Sequence, residues 1–84
     1  MPVQQERREK ARRRVLRRAL MAFNRGHCSM PCQILDISDA GARVMPSDTL
    51  LCPTEFVLRP AIGQQRNCEV VWRRGTAIGV RFVS

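Results

Sequence analysis

Short apolar runs separated by turn residues recur along this chain from about residue 15 to its end. The runs are rich in Val, Ile and Phe, and turn signals such as NRGH, SDAG and RRGT recur every eight to fifteen residues. This spacing is typical of an all-β protein and predicts about six strands. A small six-stranded antiparallel barrel removes exposed sheet edges better than an open sheet of the same strands, so we expect a barrel.

Alternation within the runs predicts which side chains face the barrel interior. In CEVVWRRG, one face carries Cys68, Val70 and Trp72, and we expect Trp72 to pack inward as part of the wall. The last run, AIGVRF, places three apolar side chains on one face. These three are expected to be core residues: Ile78, Val80 and Phe82.

The length of 84 residues suits one small domain. We expect residues 1–14 to form a flexible Arg-rich arm and residues 15–84 to form the barrel, with 15–23 as the first strand. An alternative is a basic amphipathic helix that continues to Phe23 and lies on a membrane. Its apolar stripe would be narrow and would contain Arg12, which favours the arm. No C-terminal helix is expected, since the last apolar position is followed only by Ser84.

Positive charge is concentrated at one end of the chain. The net charge is +8, and the first 18 residues supply +6 of it from eight basic and two acidic side chains. All but one of the 15 basic residues are arginine. Arginine is favoured over lysine where a planar fork grips phosphate or a base edge, or stacks on a ring. The arm therefore predicts an anionic partner, whose identity charge alone does not reveal.

Other features of the sequence exclude several classes of protein. No run of about 18 apolar residues exists to span a membrane, and no apolar stretch follows the N-terminal charges as in a secretory signal. Glu6 and Glu9 argue against a transit peptide, so we expect a cytoplasmic protein. We expect no enzymatic activity, because the single histidine has no plausible nucleophile and orienting partner.

Four cysteines raise the question of a metal site. His27, Cys28 and Cys32 lie close together in HCSMPC, but the spacing is C-x3-C and no second close pair answers it. Structural zinc sites usually show two paired knuckles. We therefore expect no metal and no cofactor, with the cysteines, including Cys52 and Cys68, reduced and acting as small apolar residues.

Two short motifs carry the functional prediction. Arg8 and Arg12 form an R-x-x-x-R, with Arg7 just before it and Arg13 just after. Twenty-four residues after Arg12 the chain reads DISDAG, a D-x-S-x-x-G. Each motif alone is weak, but their order and separation around the first two strands of a small barrel are specific. The residues of the second motif are Asp36, Ser38 and Gly41.

With these motifs the sequence resembles the PilZ domain, the bacterial module that binds the second messenger cyclic di-GMP. RREKAR is similar to the first motif of that family, DISDAGARV is similar to the second, and VVWRRGTAIGVRF is similar to its closing strand pair. The resemblance covers essentially the whole chain. It implies a barrel whose outer surface holds the nucleotide, clamped by the arginine arm, and a signalling role exercised through a downstream protein partner.

The residue types suit that ligand chemically. An arginine fork meets guanine O6 and N7 bidentately, stacks on purines and forms charge-assisted bonds with phosphate. Asp36 would accept hydrogen bonds from guanine N1–H and N2–H, and Ser38 would bond N7 or a phosphate. Gly41 would permit a positive φ or a close backbone approach. Arg7 and Arg13 would assist Arg8 and Arg12.

Three alternatives stay open at this stage. Asp36 and Ser38 are residue types that also form ordinary Asx or Ser turns without any ligand. The chain could be a degenerate PilZ domain that binds only proteins. It could also be a basic barrel for RNA or single-stranded DNA, although it has no Tyr, one Trp and three Phe to stack on bases. A polymer binder would lose orders of magnitude of affinity with salt, unlike a receptor for a ligand with two phosphates.

Overall fold

The computed structural model describes residues 12–83, with the side chains of the first four of these residues excepted. It consists of six strands, whose bounds are β1 Arg12–Phe23, β2 Cys28–Ser38, β3 Gly41–Pro46, β4 Glu55–Pro60, β5 Arg66–Arg74 and β6 Ala77–Val83. Residues 12–83 contain no helix, and so none that is long and apolar enough to cross a membrane.

The strands form a closed antiparallel barrel in the order β1-β2-β3-β6-β5-β4. Closure comes from β1 and β4, which pair along Ala19–Ala22 and Val57–Pro60. The predicted six-stranded antiparallel barrel is confirmed. The first strand begins at Arg12 and not at residue 15, so the last three residues assigned to the arm pair with β2. The rest of the predicted arm, residues 1–11, lies outside the described residues.

The longest hairpin, β1–β2, turns through three residues with positive φ. Asn24, Arg25 and Gly26 have φ angles of 54°, 56° and 83°. Asparagine and glycine adopt this left-handed conformation at low cost, which explains why the NRGH signal marks the turn. Backbone hydrogen bonds from Gly26 N to Phe23 O (3.1 Å) and from His27 N to Asn24 O (3.0 Å) close it.

The core fills the barrel interior with side chains from every strand. Its largest fully buried members are Met21, Val44, Leu58, Cys68 and Ile78. The three residues predicted on the last strand are confirmed as inward-facing, with Ile78 and Val80 buried and Phe82 packed against the core at its edge.

Trp72 corrects the alternation argument for β5. The pairing of β5 with β6 shifts between Val70 and Trp72, so a β-bulge changes the face on which the following residues lie. Val70 still packs against the core, but the Trp72 side chain lies outside the barrel and is 39% exposed. The prediction that Trp72 packs inward is wrong, because strict alternation does not hold across a bulge.

Three of the four cysteines are core residues. Cys32, Cys52 and Cys68 are buried, whereas Cys28 is half-buried. Burial in apolar surroundings raises the pKa of Cys32 to about 12 and that of Cys68 to about 11, and it also raises the pKa of Cys52. A buried thiolate is poorly solvated, so folding favours the neutral thiol.

The buried thiols predict a loss of stability at alkaline pH. Above the ordinary thiol pKa of 9.0, the unfolded chain releases protons that the folded chain retains. The stabilisation is therefore complete below about pH 9 and is lost as pH rises through the folded pKa values. We expect the free energy of unfolding in urea to fall between about pH 9 and pH 11. With no Tyr and one Lys in the chain, few other groups titrate in this range.

A pair of variants provides the control for this prediction. Cys68→Ala removes a buried thiol and should reduce the slope of stability against pH. Cys28→Ser replaces a thiol outside the buried core and is the matched control for the loss of a cysteine. A stability that is the same at pH 9 and pH 11 would contradict the argument.

Candidate functional site

A two-residue turn between β2 and β3 defines the corner of the candidate site. Ser38 ends β2, Gly41 begins β3, and Asp39 and Ala40 connect them. The Ser38 hydroxyl accepts a hydrogen bond from Gly41 N–H and lies within bonding distance of Gly41 O, both at 3.3 Å. The serine side chain therefore closes the turn.

Gly41 is required by a close approach to β6. Gly41 pairs with Arg81, and a Cβ at this position would overlap the backbone carbonyl oxygen of Val80. Its φ is not positive. Of the two reasons considered for a glycine here, the close backbone approach applies and the left-handed conformation does not.

Asp36 and Arg43 form an ion pair beside the turn. Counted outward from the turn, Asp36 on β2 lies opposite Arg43 on β3. Arg43 Nε donates to Asp36 Oδ2 at 2.8 Å, and Arg43 Nη2 lies 2.8 Å from the same oxygen. The Asp36 side chain is 6% exposed, whereas that of Arg43 is 42% exposed. The carboxylate thus orients a guanidinium that reaches solvent.

The start of β1 lies directly against this corner. The backbone of Arg12 is opposite Ser38, that of Arg13 is opposite Ile37, and that of Arg14 is opposite Asp36. The backbones of Arg12 and Arg13, the described residues among the predicted arginines, therefore lie beside the D-x-S-x-x-G turn. Main-chain pairing of the first two strands thus places Arg12, the last residue of the R-x-x-x-R motif, next to Ser38 of the second motif.

Trp72 extends the same outer surface across β6. It is the cross-strand partner of Gly79, and its indole ring lies where a Cβ of Gly79 would otherwise be. Gly79 is in turn the partner of Arg43 on β3. The guanidinium of Arg74 lies 5.8 Å from the centre of the indole ring. An aromatic ring therefore continues the row that begins with Asp36 and Arg43.

The structure brings together the predicted site residues that it describes. Asp36, Ser38 and Gly41 surround the turn, and the backbones of Arg12 and Arg13 pair with the end of β2. The other two predicted residues lie outside the described residues: Arg7 and Arg8.

Two residues of this surface were not predicted as site residues. Arg43 has a signal in the sequence, since a two-residue turn at 39–40 places residues 36 and 43 opposite each other with opposite charges. The outward position of Trp72 has no signal in the alternation of β5, because the bulge that turns the side chain outward is set by the pairing of β5 with β6.

No protein-family model, curated protein or solved structure matches this chain. The resemblance to the PilZ domain therefore depends on the sequence alone, that is on the two motifs and the closing run VVWRRGTAIGVRF.

The contact between β3 and β6 predicts that Gly41→Ala destabilises the fold. The added methyl group would overlap the Val80 carbonyl oxygen, which belongs to the backbone and yields little. Overpacking of this kind typically costs about 1–3 kcal/mol. We expect a loss of that size in urea denaturation, whereas Ala40→Ser in the exposed turn should change stability by less than about 0.5 kcal/mol. Equal stability of the two variants would contradict the close approach.

Proposed function

We propose that this chain is a non-catalytic, cytoplasmic receptor module of the PilZ type that binds cyclic di-GMP. The nucleotide would lie on the outer surface of the barrel beside the β2–β3 turn. Arginines of the N-terminal segment, Arg7, Arg8, Arg12 and Arg13, would grip its phosphates and guanines. The signal would then pass to a protein partner.

One observation carries this proposal more than any other. β1 begins opposite the D-x-S-x-x-G corner, with Arg12 facing Ser38 across the strand pair. Had the first strand entered the barrel at its far end, the R-x-x-x-R segment could not have reached Asp36 and Ser38. The register of β1 on β2 supports a shared site for the two motifs.

The strand pairing also lowers the free-energy cost of binding. Fixing a residue's backbone costs about 1–2 kcal/mol, and a micromolar ligand supplies only about −8.2 kcal/mol in total. Residues 12–14 belong to β1, so their order is maintained by the fold. Several charge-assisted bonds of about 1.5–3 kcal/mol each can then offset the cost of fixing any further residues on binding.

Asp36 is proposed to act largely through Arg43. Two of the five guanidinium N–H groups face the carboxylate, which leaves three for a phosphate or for guanine O6 and N7. A guanine N1–H could reach Asp36 directly if the groups that already contact the carboxylate, Arg43 among them, shared it or moved aside. Either arrangement keeps Asp36 necessary for binding.

Trp72 is proposed to contribute a stacking surface. Its ring is partly exposed on the outer surface and lies over Gly79, the cross-strand partner of Arg43. Stacking of a base on an aromatic side chain contributes about 1–3 kcal/mol. A purine beside Arg43 would be within reach of this ring.

A second candidate function is a PilZ-like barrel that binds only a protein partner. The observation that favours it is that the motif residues already have intramolecular roles, because Asp36 holds Arg43 and Ser38 closes the turn onto Gly41. Residues of this kind would be required for folding whether or not a nucleotide binds. Direct titration with the nucleotide separates the two functions.

Calorimetric titration with cyclic di-GMP tests the proposal. We expect saturable heat with this nucleotide and none with GTP or cyclic di-AMP. Arg8→Asn should weaken binding at least about tenfold, or about 1.4 kcal/mol, through the loss of a guanidinium that grips the ligand. Arg25→Asn is the matched control, since it removes the same charge from the β1–β2 turn, where asparagine tolerates the positive φ.

The possible outcomes distinguish the candidates. Equal weakening by both arginine variants would indicate attraction by net charge and would contradict a specific grip by Arg8. An absence of heat with cyclic di-GMP from a chain that keeps its β-sheet circular dichroism would overturn the proposal and favour the protein-binding module.

The position of Trp72 predicts a spectroscopic response. It is the only tryptophan of the chain, so its emission reports on this surface alone. Stacking of guanine on the ring should quench the emission in proportion to the ligand bound. The dissociation constant from this titration should equal the one obtained by calorimetry. Emission that stays constant while calorimetry shows binding would place the nucleotide away from Trp72.

A further inference from the structure

An open groove of about 900 Å³ lies on the outer surface across β1 to β4, and none of its lining residues belongs to the candidate nucleotide site. One of its lining residues is Leu20, which is 45% exposed and whose cross-strand neighbours are Arg59 on β4 and Pro31 on β2. Mostly apolar side chains line it: Leu20, Pro31, Met45, Pro46, Pro60 and Ala61. The barrel is closed, so a partner would bind here through side chains and not by adding a strand.

Two arginines border this groove. Arg18 and Arg59 are exposed lining residues, and no carboxylate within residues 16–83 forms an ion pair with either of them. Apolar walls beside two such cations suit apolar side chains with a carboxylate next to them.

The β3–β4 connection of the same chain carries that combination. Leu50 and Leu51 are 94% and 70% exposed, which is unusual for neighbouring leucines. Asp48 stands two residues before them, and its Oδ1 accepts hydrogen bonds from the backbone N–H groups of Leu50 (2.9 Å) and Leu51 (3.3 Å). The carboxylate thereby stiffens the segment that displays the two leucines.

Arg73 fixes the same loop to the barrel from β5. Its Nη2 donates to Cys52 O at 3.0 Å and its Nη1 to Thr49 O at 3.5 Å, so the carbonyl groups on both sides of the leucines are held. The Cys52 side chain is buried in the core. A loop held at these points loses little conformational entropy when its leucines are buried by a partner.

The loop and the groove adjoin each other on one surface. Ser47 lines the groove and is also the first residue of the β3–β4 connection, directly before Asp48. The loop projects and the groove is a depression beside it. When a second copy is related by a two-fold rotation, the loop of each copy can therefore lie over the groove of the other.

We propose that two copies of this chain form a two-fold symmetric dimer through these elements. Leu50 and Leu51 of each copy insert into the groove of the other, where they cover Leu20. Asp48 of each loop faces the arginines of the opposite groove. The dimer uses none of the residues of the candidate nucleotide site, so it stands or falls independently of nucleotide binding.

Sedimentation equilibrium tests the dimer. The salt concentration is set at about 0.15 M, where the Debye length is about 8 Å, so that the repulsion between two chains of net charge +8 is screened. Over about 1 μM to 1 mM, a range that spans weak to moderate affinity, we expect the mass to rise from 9.6 kDa to twice that value and to stop there. Leu50→Ser with Leu51→Ser, and separately Leu20→Glu, should each weaken association at least about tenfold. Ile62→Ser is the control, since Ile62 is 76% exposed outside the groove.

Mixing the variants tests the mutual insertion. The double-serine chain keeps an intact groove and the Leu20→Glu chain keeps an intact loop, so a mixture should associate more strongly than either chain alone through one native contact. A monomer at all concentrations, a dimer insensitive to the loop or to the groove variants, or a mass that grows beyond the dimer would each overturn the proposal. Unchanged circular dichroism of the variants confirms that the losses are not failures of folding.

Discussion

The register of the β2–β3 hairpin is the constraint on which the candidate site depends. A two-residue turn at 39–40 sets Asp36 opposite Arg43, and the hydroxyl of Ser38 secures that turn. Side chains alternate between the faces of a strand, so a shift by one residue would direct the Asp36 carboxylate into the apolar core. The close contact of Gly41 with Val80 resists such a shift, because β3 can approach β6 this closely only where it has no side chain.

β-Bulges interrupt the regular alternation of side chains at two places along the outer surface, one in β2 and one in β5. One irregularity lies between Ile34 and Asp36, and it lets Ile34 stay in the core while Asp36, although buried, lies on the outer face beside Arg43. Another, between Val70 and Trp72, turns the indole ring outward over Gly79. In both places an extra residue changes which face the following side chains occupy. The row from Asp36 to Trp72 is a product of these two irregularities.

Arginine has different roles in different parts of this chain. Arg43 is held by the nearly buried carboxylate of Asp36. Arg73 stabilises the β3–β4 loop by donating hydrogen bonds to carbonyl groups of that loop. Arg18 and Arg59 border an apolar groove, where a planar cation with a long stem covers apolar surface while its charge stays hydrated. Composition reports the number of cations, but only their positions separate the structural ones from those suited to binding.

Much of the fold was determined by local pattern. The number of strands, the turns between them, the inward face of β6 and the turn around Ser38 all follow from short-range alternation and turn chemistry, which act within a few residues. The ion pair of Asp36 with Arg43 follows as well, once the turn is counted as two residues long. Arg12 lies opposite Ser38, as expected for two motifs that flank the first two strands of an antiparallel barrel.

The tertiary structure decided what depends on distant residues. It set the start of β1 at Arg12, where pairing with β2 overrides the solvation of a charged segment. It turned Trp72 outward, since the bulge in β5 results from pairing with β6. It also placed the groove around Leu20 beside the loop of Leu50 and Leu51. A linear pattern specifies the alternation within each strand, but the closure of the barrel specifies which strands share a surface.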